Sequence, residues 1–347
     1  MGCSNLNNAQ HHAEYYHLPD FEKVKKIDAH VHIRTMDSTF AVIAKSNGFR
    51  LITIDTDELP GIAVQNRYAL HQGRHFPQTV AHAATISLDR WDHETWAEET
   101  ISSLQSSIDN GARAIKLYKN IGMELRNDKG GLVMINDPKF IPIINFLAAN
   151  NIPIVGHFAE PKNCWLPIEE MTIKGDKVYF SRHPEFHMYL HPEMPSYEEQ
   201  IRARYEMLRN HDDLKFIGAH LGSIEWDLDS LGKFLDDFPN ASVDLAARLS
   251  HIQLHAKNNY TKTRDFFIKY QDKIIYGTDI IVDQDAVRSE VTDKVVNKWR
   301  EDWAFLSGGE SMTSNSFDGN FKGLKLPKKV IDKVYYTNAK KLFFDQI

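Results

Sequence analysis

The feature that most constrains this chain is a repeating alternation. Short β-branched or apolar runs are followed, again and again, by stretches with helical periodicity. The apolar runs are Ile27–Ile33, Arg50–Asp55, Thr79–Leu88, Ala112–Tyr118, Ile152–His157, Leu214–His220, Ala241–Leu245 and Lys273–Asp279. Strands separated by helices pair in parallel through right-handed crossovers. Eight such units predict a closed (β/α)8 TIM barrel rather than an open sheet. The helical signals are local. Asp92 is read as an N-cap before Ala97, Ile101, Leu104 and Ile108, with Gly111 as the stop. Asp137-Pro138 opens a helix, and Ser196 with Glu199 forms a capping box. Two segments, Phe158 to Pro195 and Ile280 to Leu326, break the rhythm and are read as long loops after strands five and eight. Two closing helices are expected around Lys328–Tyr335 and Asn338–Phe343.

The 347 residues suit one catalytic domain, expected over residues 23–347, after a flexible tail over residues 1–22. A net charge of −6 without a basic cluster argues against a nucleic-acid partner, and no apolar run has the length of a membrane span. The partner expected is a small-molecule substrate, and assembly into a homo-oligomer is left open. The two cysteines, Cys3 and Cys164, form neither a disulfide framework nor a Cys-x-x-Cys pattern, so any metal must take nitrogen and oxygen ligands. Gly2-Cys3 followed by a polar stretch resembles the start of a bacterial lipoprotein whose signal peptide has been removed. The address is then periplasmic or lipid-anchored, and otherwise cytoplasmic.

Chemistry-bearing side chains track the strand ends. His30 and His32 are two apart in strand one, so their side chains leave the same face, roughly 6–7 Å apart at Cα. Lys116 ends strand four, His157 strand five, His220 strand six and Asp279 strand eight, with Asp244 near the end of strand seven. In a barrel these ends converge on the face where active sites sit. Any one of these histidines could be an ordinary packed residue; their recurrence at one end points to a metal site.

The set Asp28-Ala29-His30-Val31-His32, Gly156-His157, Gly218-Ala219-His220-Leu221-Gly222 and Gly277-Thr278-Asp279, with the ending Thr337-Asn338-Ala339-Lys340-Lys341-Leu342-Phe343, resembles the amidohydrolase superfamily, in particular its Amidohydrolase 2 branch. The resemblance runs from about Lys25 to the C-terminus. That branch includes lactonases, other hydrolases and non-oxidative decarboxylases of aromatic or unsaturated acids.

The expected metal ligands are His30, His32, His157 and Asp279. Asp279 is also the expected proton acceptor, and His220 an unliganded acid/base or polarising group. Asp279 could instead cap a helix, and His220 could only support its neighbours. Lys116, Glu160 and Arg248 are expected to meet substrate, Lys116 alternatively bridging two metals after carbamylation or pairing with an acid, and Asp244 to support the ligands from behind. His183, His187 and His191 could line the pocket or lie on a solvated lid; Trp165, Trp299 and Trp303 could wall it or simply pack. One divalent ion is expected, zinc first, with manganese or a second metal as alternatives. The leading reading is a metal-dependent hydrolase of an ester, lactone or amide, lactone favoured. The alternative is a metal-dependent non-oxidative decarboxylase of a small hydroxy or aromatic acid. A remote third is a non-catalytic metal- or ligand-binding barrel.

Overall fold

The computed structural model describes residues 14–345. Gly2 and Cys3, on which the lipoprotein reading rests, lie outside the described residues. Nine parallel strands form the main sheet: β1 (Lys26–Arg34), β2 (Phe49–Ile54), β3 (Val80–Thr85), β4 (Ile115–Leu117), β5 (Ile154–Gly156), β6 (Phe216–Gly218), β7 (Ala241–Asp244), β8 (Ile274–Ile275) and β9 (Ile280–Asp283). They run in the order β8-β7-β6-β5-β4-β3-β2-β1-β9. Two hydrogen bonds close the ring: Ala29 N to Tyr276 O (3.0 Å) and Asp279 N to His30 O (2.8 Å). β8 and β9 are thus two halves of the eighth barrel strand, broken at Gly277-Thr278-Asp279. The break has a steric cause. A Cβ on Gly277 would lie 2.9 Å from His30 Cβ, so only glycine lets this segment press against β1. The architecture is the expected (β/α)8 barrel.

Strand one carries a bulge between Asp28 and Val31. Before it, Ile27 and Ala29 join the inner cluster with Ile52, Val155, Ile217 and Ile275; after it, Val31 and Ile33 join the outer cluster under the helices. The extra residue switches the inward parity from odd to even positions. His30 and His32 therefore face the cavity, while Asp28 faces outward. There Asp28 accepts from Thr278 N (3.0 Å), Thr278 Oγ1 (2.7 Å) and Trp299 Nε1 (2.9 Å). Ala339 and Phe343 of the closing helix Asn338–Phe343 pack into the inner cluster.

The helices mostly form where expected, and the Ser196–Glu199 capping box is present, with Ser196 N donating to Glu199 Oε2 at 2.8 Å. Three expectations need correction. Asp92 is not an N-cap: the helix is Trp96–Asp109, with Thr95 at the cap, and Asp92 instead accepts from Asp128 N (3.1 Å). The helix Leu249–Asn258 was not foreseen. The segment after strand eight is not a loop. It holds β9, a helix over Arg288–Ser307 and an antiparallel pair, β10 (Ser311–Ser314) with β11 (Phe317–Lys322). Val291, Val295, Trp299 and Trp303, four apart, make that helix's buried stripe. Its polar composition hid a helical period. The segment after strand five is closer to expectation: short 3₁₀ turns and one helix, Lys174–Arg182.

Residues 14–22, counted with the tail on sequence grounds, lie on the barrel. Phe21 is buried and meets Trp303 at 5.9 Å, and Tyr16 Oη donates to Asp332 (2.7 Å). Among the described residues no helix is long and apolar enough to cross a membrane.

Candidate metal centre

The strand ends converge as expected. His30 and His32 come from β1, His157 follows β5, His220 follows β6, and Asp279 stands in the break between β8 and β9. Ring centroids lie 5.4 Å apart for His30 and His32, 4.8 Å for His30 and His220, and 4.4 Å for His157 and His220. Asp279 Oδ1 is 3.3 Å from His32 Nε2 and 3.5 Å from His30 Nε2. The donor atoms of His30, His32 and Asp279 all lie within 4.8 Å of one another.

Hydrogen bonds to the rear of the rings decide which nitrogen faces the centre. His30 Nδ1 meets Asp244 Oδ2 (2.7 Å), His32 Nδ1 meets Ile54 O (2.8 Å), and His220 Nδ1 meets Ala246 O (3.0 Å). Each acceptor holds a proton on Nδ1, which leaves Nε2 with its lone pair turned inward. His157 Nε2 is buried without a hydrogen-bond partner among the described residues. An orphaned buried nitrogen is costly unless something occupies the space in front of it. Inward lone pairs beside a carboxylate make the nitrogen–oxygen donor set that suits a divalent cation.

The electrostatics agree. Burial, with help from neighbouring cations, lowers His157 well below its ordinary value and takes His220 down to about 3. Both imidazoles are neutral, the ligating form. Burial opposes ionisation of Asp279, but His220, His32 and His30 outweigh it and hold the carboxyl well below the usual range.

The other expected residues fall at different depths. Asp244 lies behind the centre: besides His30, it accepts from His220 N (2.7 Å) and Ala246 N (3.2 Å). Lys116 Nζ stands 3.5 Å from His30 Nε2 with no carboxylate in ion-pair range among the described residues, and burial lowers its pKa to about 8. Arg248 lines the same cavity, its Nε buried without a partner among the described residues. Glu160 lines it too, ion-paired to Lys119. The cavity is about 420 Å³.

Sequence reasoning missed part of the wall. Glu58, bonded by Arg34 and by Tyr118 Oη (2.9 Å), follows strand two, a strand end bearing no histidine. Tyr118 and Lys119 come two and three residues after Lys116 and were open to the same strand-end logic. Asp176, Tyr179 and Phe180 come from the segment after strand five, where no spacing marks them. His183, His187, His191, Trp165, Trp299 and Trp303 are not among the lining residues. His187 Nε2 lies 2.8 Å from Leu166 O, and the last two tryptophans are core.

The turn after β6 is strained. His220 (φ 59, ψ 48), Leu221 (φ 57, ψ 26), Gly222 (φ 60) and Ser223 (φ 56, ψ 28) are all left-handed. Only one is glycine, and left-handed geometry costs other residues roughly 1–2 kcal/mol each.

Comparison with known proteins agrees with this fold. A segment of 102 residues is 26% identical to the toxin coregulated pilus biosynthesis protein B of Vibrio cholerae serotype O1; the match spans 29% of this chain and 24% of that protein. Two solved structures share the fold along nearly the whole chain. The 2,6-dihydroxybenzoate decarboxylase from Rhizobium superposes with a TM-score of 0.54 at 14% identity, covering 92% of this chain and 98% of the other. A 5-carboxyvanillate decarboxylase from Novosphingobium aromaticivorans, solved with bound manganese, superposes with a TM-score of 0.52 at 9% identity, covering 96% and 99%. The model of the amidohydrolase family matches residues 93–344, and the chain belongs to that family.

Proposed function

We propose that this protein is a metal-dependent hydrolase of a small ester or lactone that carries a carboxylate. The observation that carries the proposal is the pairing of two features in one cavity: the inward imidazoles with Asp279, and the two cations Lys116 and Arg248, neither with an ion-pair partner among the described residues. His30, His32, His157 and Asp279 would hold one divalent ion, zinc by preference. Such an ion supplies Lewis acidity and lowers the pKa of a water toward about 7. Asp279, ionised, takes the water's proton and returns it to the leaving oxygen. His220, neutral and with its Nε2 lone pair facing the cavity, accepts a hydrogen bond there and so orients the attacking water. Lys116 and Arg248 anchor the substrate carboxylate, for which a buried unpaired cation is a strong partner. Tyr179 and Phe180 limit substrate size.

Decarboxylation is the second reading, favoured by the same two cations and by the reactions of the full-length fold neighbours. Incubation with carboxylated lactones and with hydroxybenzoates, reading acid release and CO₂ separately, divides the two. Acid release from lactones is expected; CO₂ without it would overturn hydrolysis. For the centre itself, replacing both His30 and His32 by Ala should remove most bound metal from a protein that still unfolds cooperatively. Undiminished stoichiometry by elemental analysis would refute the ligand assignment.

A further inference from the structure

The helix Tyr197–Arg209 lies directly before β6, and two of its side chains reach the strained turn that carries His220. Arg204 is fully buried, yet no carboxylate pairs with it among the described residues. Its Nη1 donates to Gly222 O, and its Nε and Nη2 have no hydrogen-bond partner there. The guanidinium is braced between rings, 5.3 Å from the Tyr205 centroid and 5.0 Å from that of Phe234. Two turns of helix earlier, Tyr197 Oη donates to Ser223 O and itself accepts from Trp226 Nε1 (2.9 Å). Ser223 Oγ donates to Ala159 O, two residues beyond His157.

A buried arginine without a counter-ion is expensive, and hydrophobic replacement at such a place is often neutral or stabilising. Packing alone therefore gives no reason for it. What Arg204 does is supply a charged donor to a carbonyl inside a run of four left-handed residues. Non-glycine residues persist in that conformation only when their surroundings over-determine it. The opposite side of the turn is fixed by Asp244, which accepts from His220 N, and by Ala246 O at His220 Nδ1.

We infer that Arg204 and Tyr197 are positioning residues: they clamp the left-handed turn His220–Ser223 so that His220 presents Nε2 to the cavity. Neither touches the cavity. The inference rests on the proposed role of His220 for its catalytic consequence, and on the turn geometry alone for its structural one.

The test uses the full chain and three variants: Arg204→Met, Arg204→Lys and Tyr197→Phe. Nitrogen-15 spectra of the histidine side chains, with the His220 signals assigned by loss in His220→Asn, read the ring directly. Arg204→Met and Tyr197→Phe should move the His220 signals from a fixed Nδ1–H tautomer toward averaging, while Arg204→Lys, which still reaches the carbonyl, restores them. On a turned-over carboxylated lactone, kcat should fall about 10–100-fold with KM and metal stoichiometry unchanged, the size typical of losing a partner that orients a site residue. Should Arg204→Met not fold, Tyr197→Phe carries the same readout with its ring retained. Unmoved His220 signals with only a lowered Tm would overturn the inference and leave these residues as packing. Absence of turnover in the native protein would refute the proposed function, while the spectra would still decide the clamp.

Discussion

Two long segments interrupt the barrel, and they are built on different principles. The one after β5, Phe158 to Pro195, has its own small cluster: Met123, Cys164, Met171, Phe180 and Met188. It is stitched by 3₁₀ turns, leaves Val178, Tyr179, Tyr189 and Leu190 exposed, and meets the barrel through polar contacts as well as through Phe158 and Ile173, which join the main core. Asp176 accepts from Asn163 Nδ2 (2.7 Å) and stands 3.2 Å from His251 Nε2; Glu160 pairs with Lys119. The one after β8, Ile280 to Leu326, merges with the main core. Trp299 stacks on Phe49 at 3.9 Å and Trp303 meets Tyr335 at 5.4 Å. The first gives the cavity Glu160, Pro161, Asp176, Tyr179 and Phe180; the second gives it Ile281. Flexible, methionine-rich packing suits a wall whose shape must vary with substrate, and interlocked aromatics suit a scaffold.

The sharpest test of this contrast is Trp299→Ala. A fully buried tryptophan lost to Ala costs about 3–5 kcal/mol, and Asp28 Oδ2 loses one of its two donors while keeping Thr278 Oγ1. Urea unfolding should show a loss across the whole molecule, because the second segment belongs to the core. A separate early transition, with the barrel unaffected, would break the comparison.

Next is Lys119→Met, at the foot of the first segment. Both members of the Lys119–Glu160 pair are buried, and removing one partner of such a pair costs about 3–5 kcal/mol. Replacing both, Lys119→Met with Glu160→Leu, should be far milder. Equal losses in the single and double variants, measured by thermal unfolding, would mean that packing rather than charge holds this foot.

The smallest effect is in pH, and the two segments should respond with opposite signs. Burial opposes ionisation of Asp176, but His251, Arg248 and Asn163 outweigh it, so its folded pKa lies below the ordinary 3.8. Its contribution is present above that value and is lost as pH falls below it. Burial pushes Asp28 up to about 7 despite the bonds from Trp299 and Thr278. Its contribution is full below 3.8 and is lost as pH rises through about 7. Hydrogen-exchange protection compared at pH 3 and pH 7 should therefore drop in acid over the helix Lys174–Arg182 and hold or rise over Arg288–Ser307. A parallel response in both would refute separate anchoring.

The sequence by itself determined the barrel, because eight strand–helix alternations admit few other closed arrangements. It also determined which ends of which strands carry His30, His32, His157, His220 and Asp279, since a residue's place along a strand is local information. It under-read Arg288–Ser307, whose period of four was masked by charged neighbours. Tertiary structure alone decided the rest. The bulge at Asp28–Val31 sets which residues of β1 face inward, and one inserted residue reverses a whole face without changing composition. The acceptors that fix each imidazole, Asp244, Ile54 O and Ala246 O, belong to other strands and loops. Which cations remain unpaired among the described residues, Lys116 and Arg248 but not Lys119 or Arg34, depends on where Glu160 and Glu58 come to rest. Pairing across the barrel is a matter of distance through space, and a linear order of residues carries distance only between near neighbours.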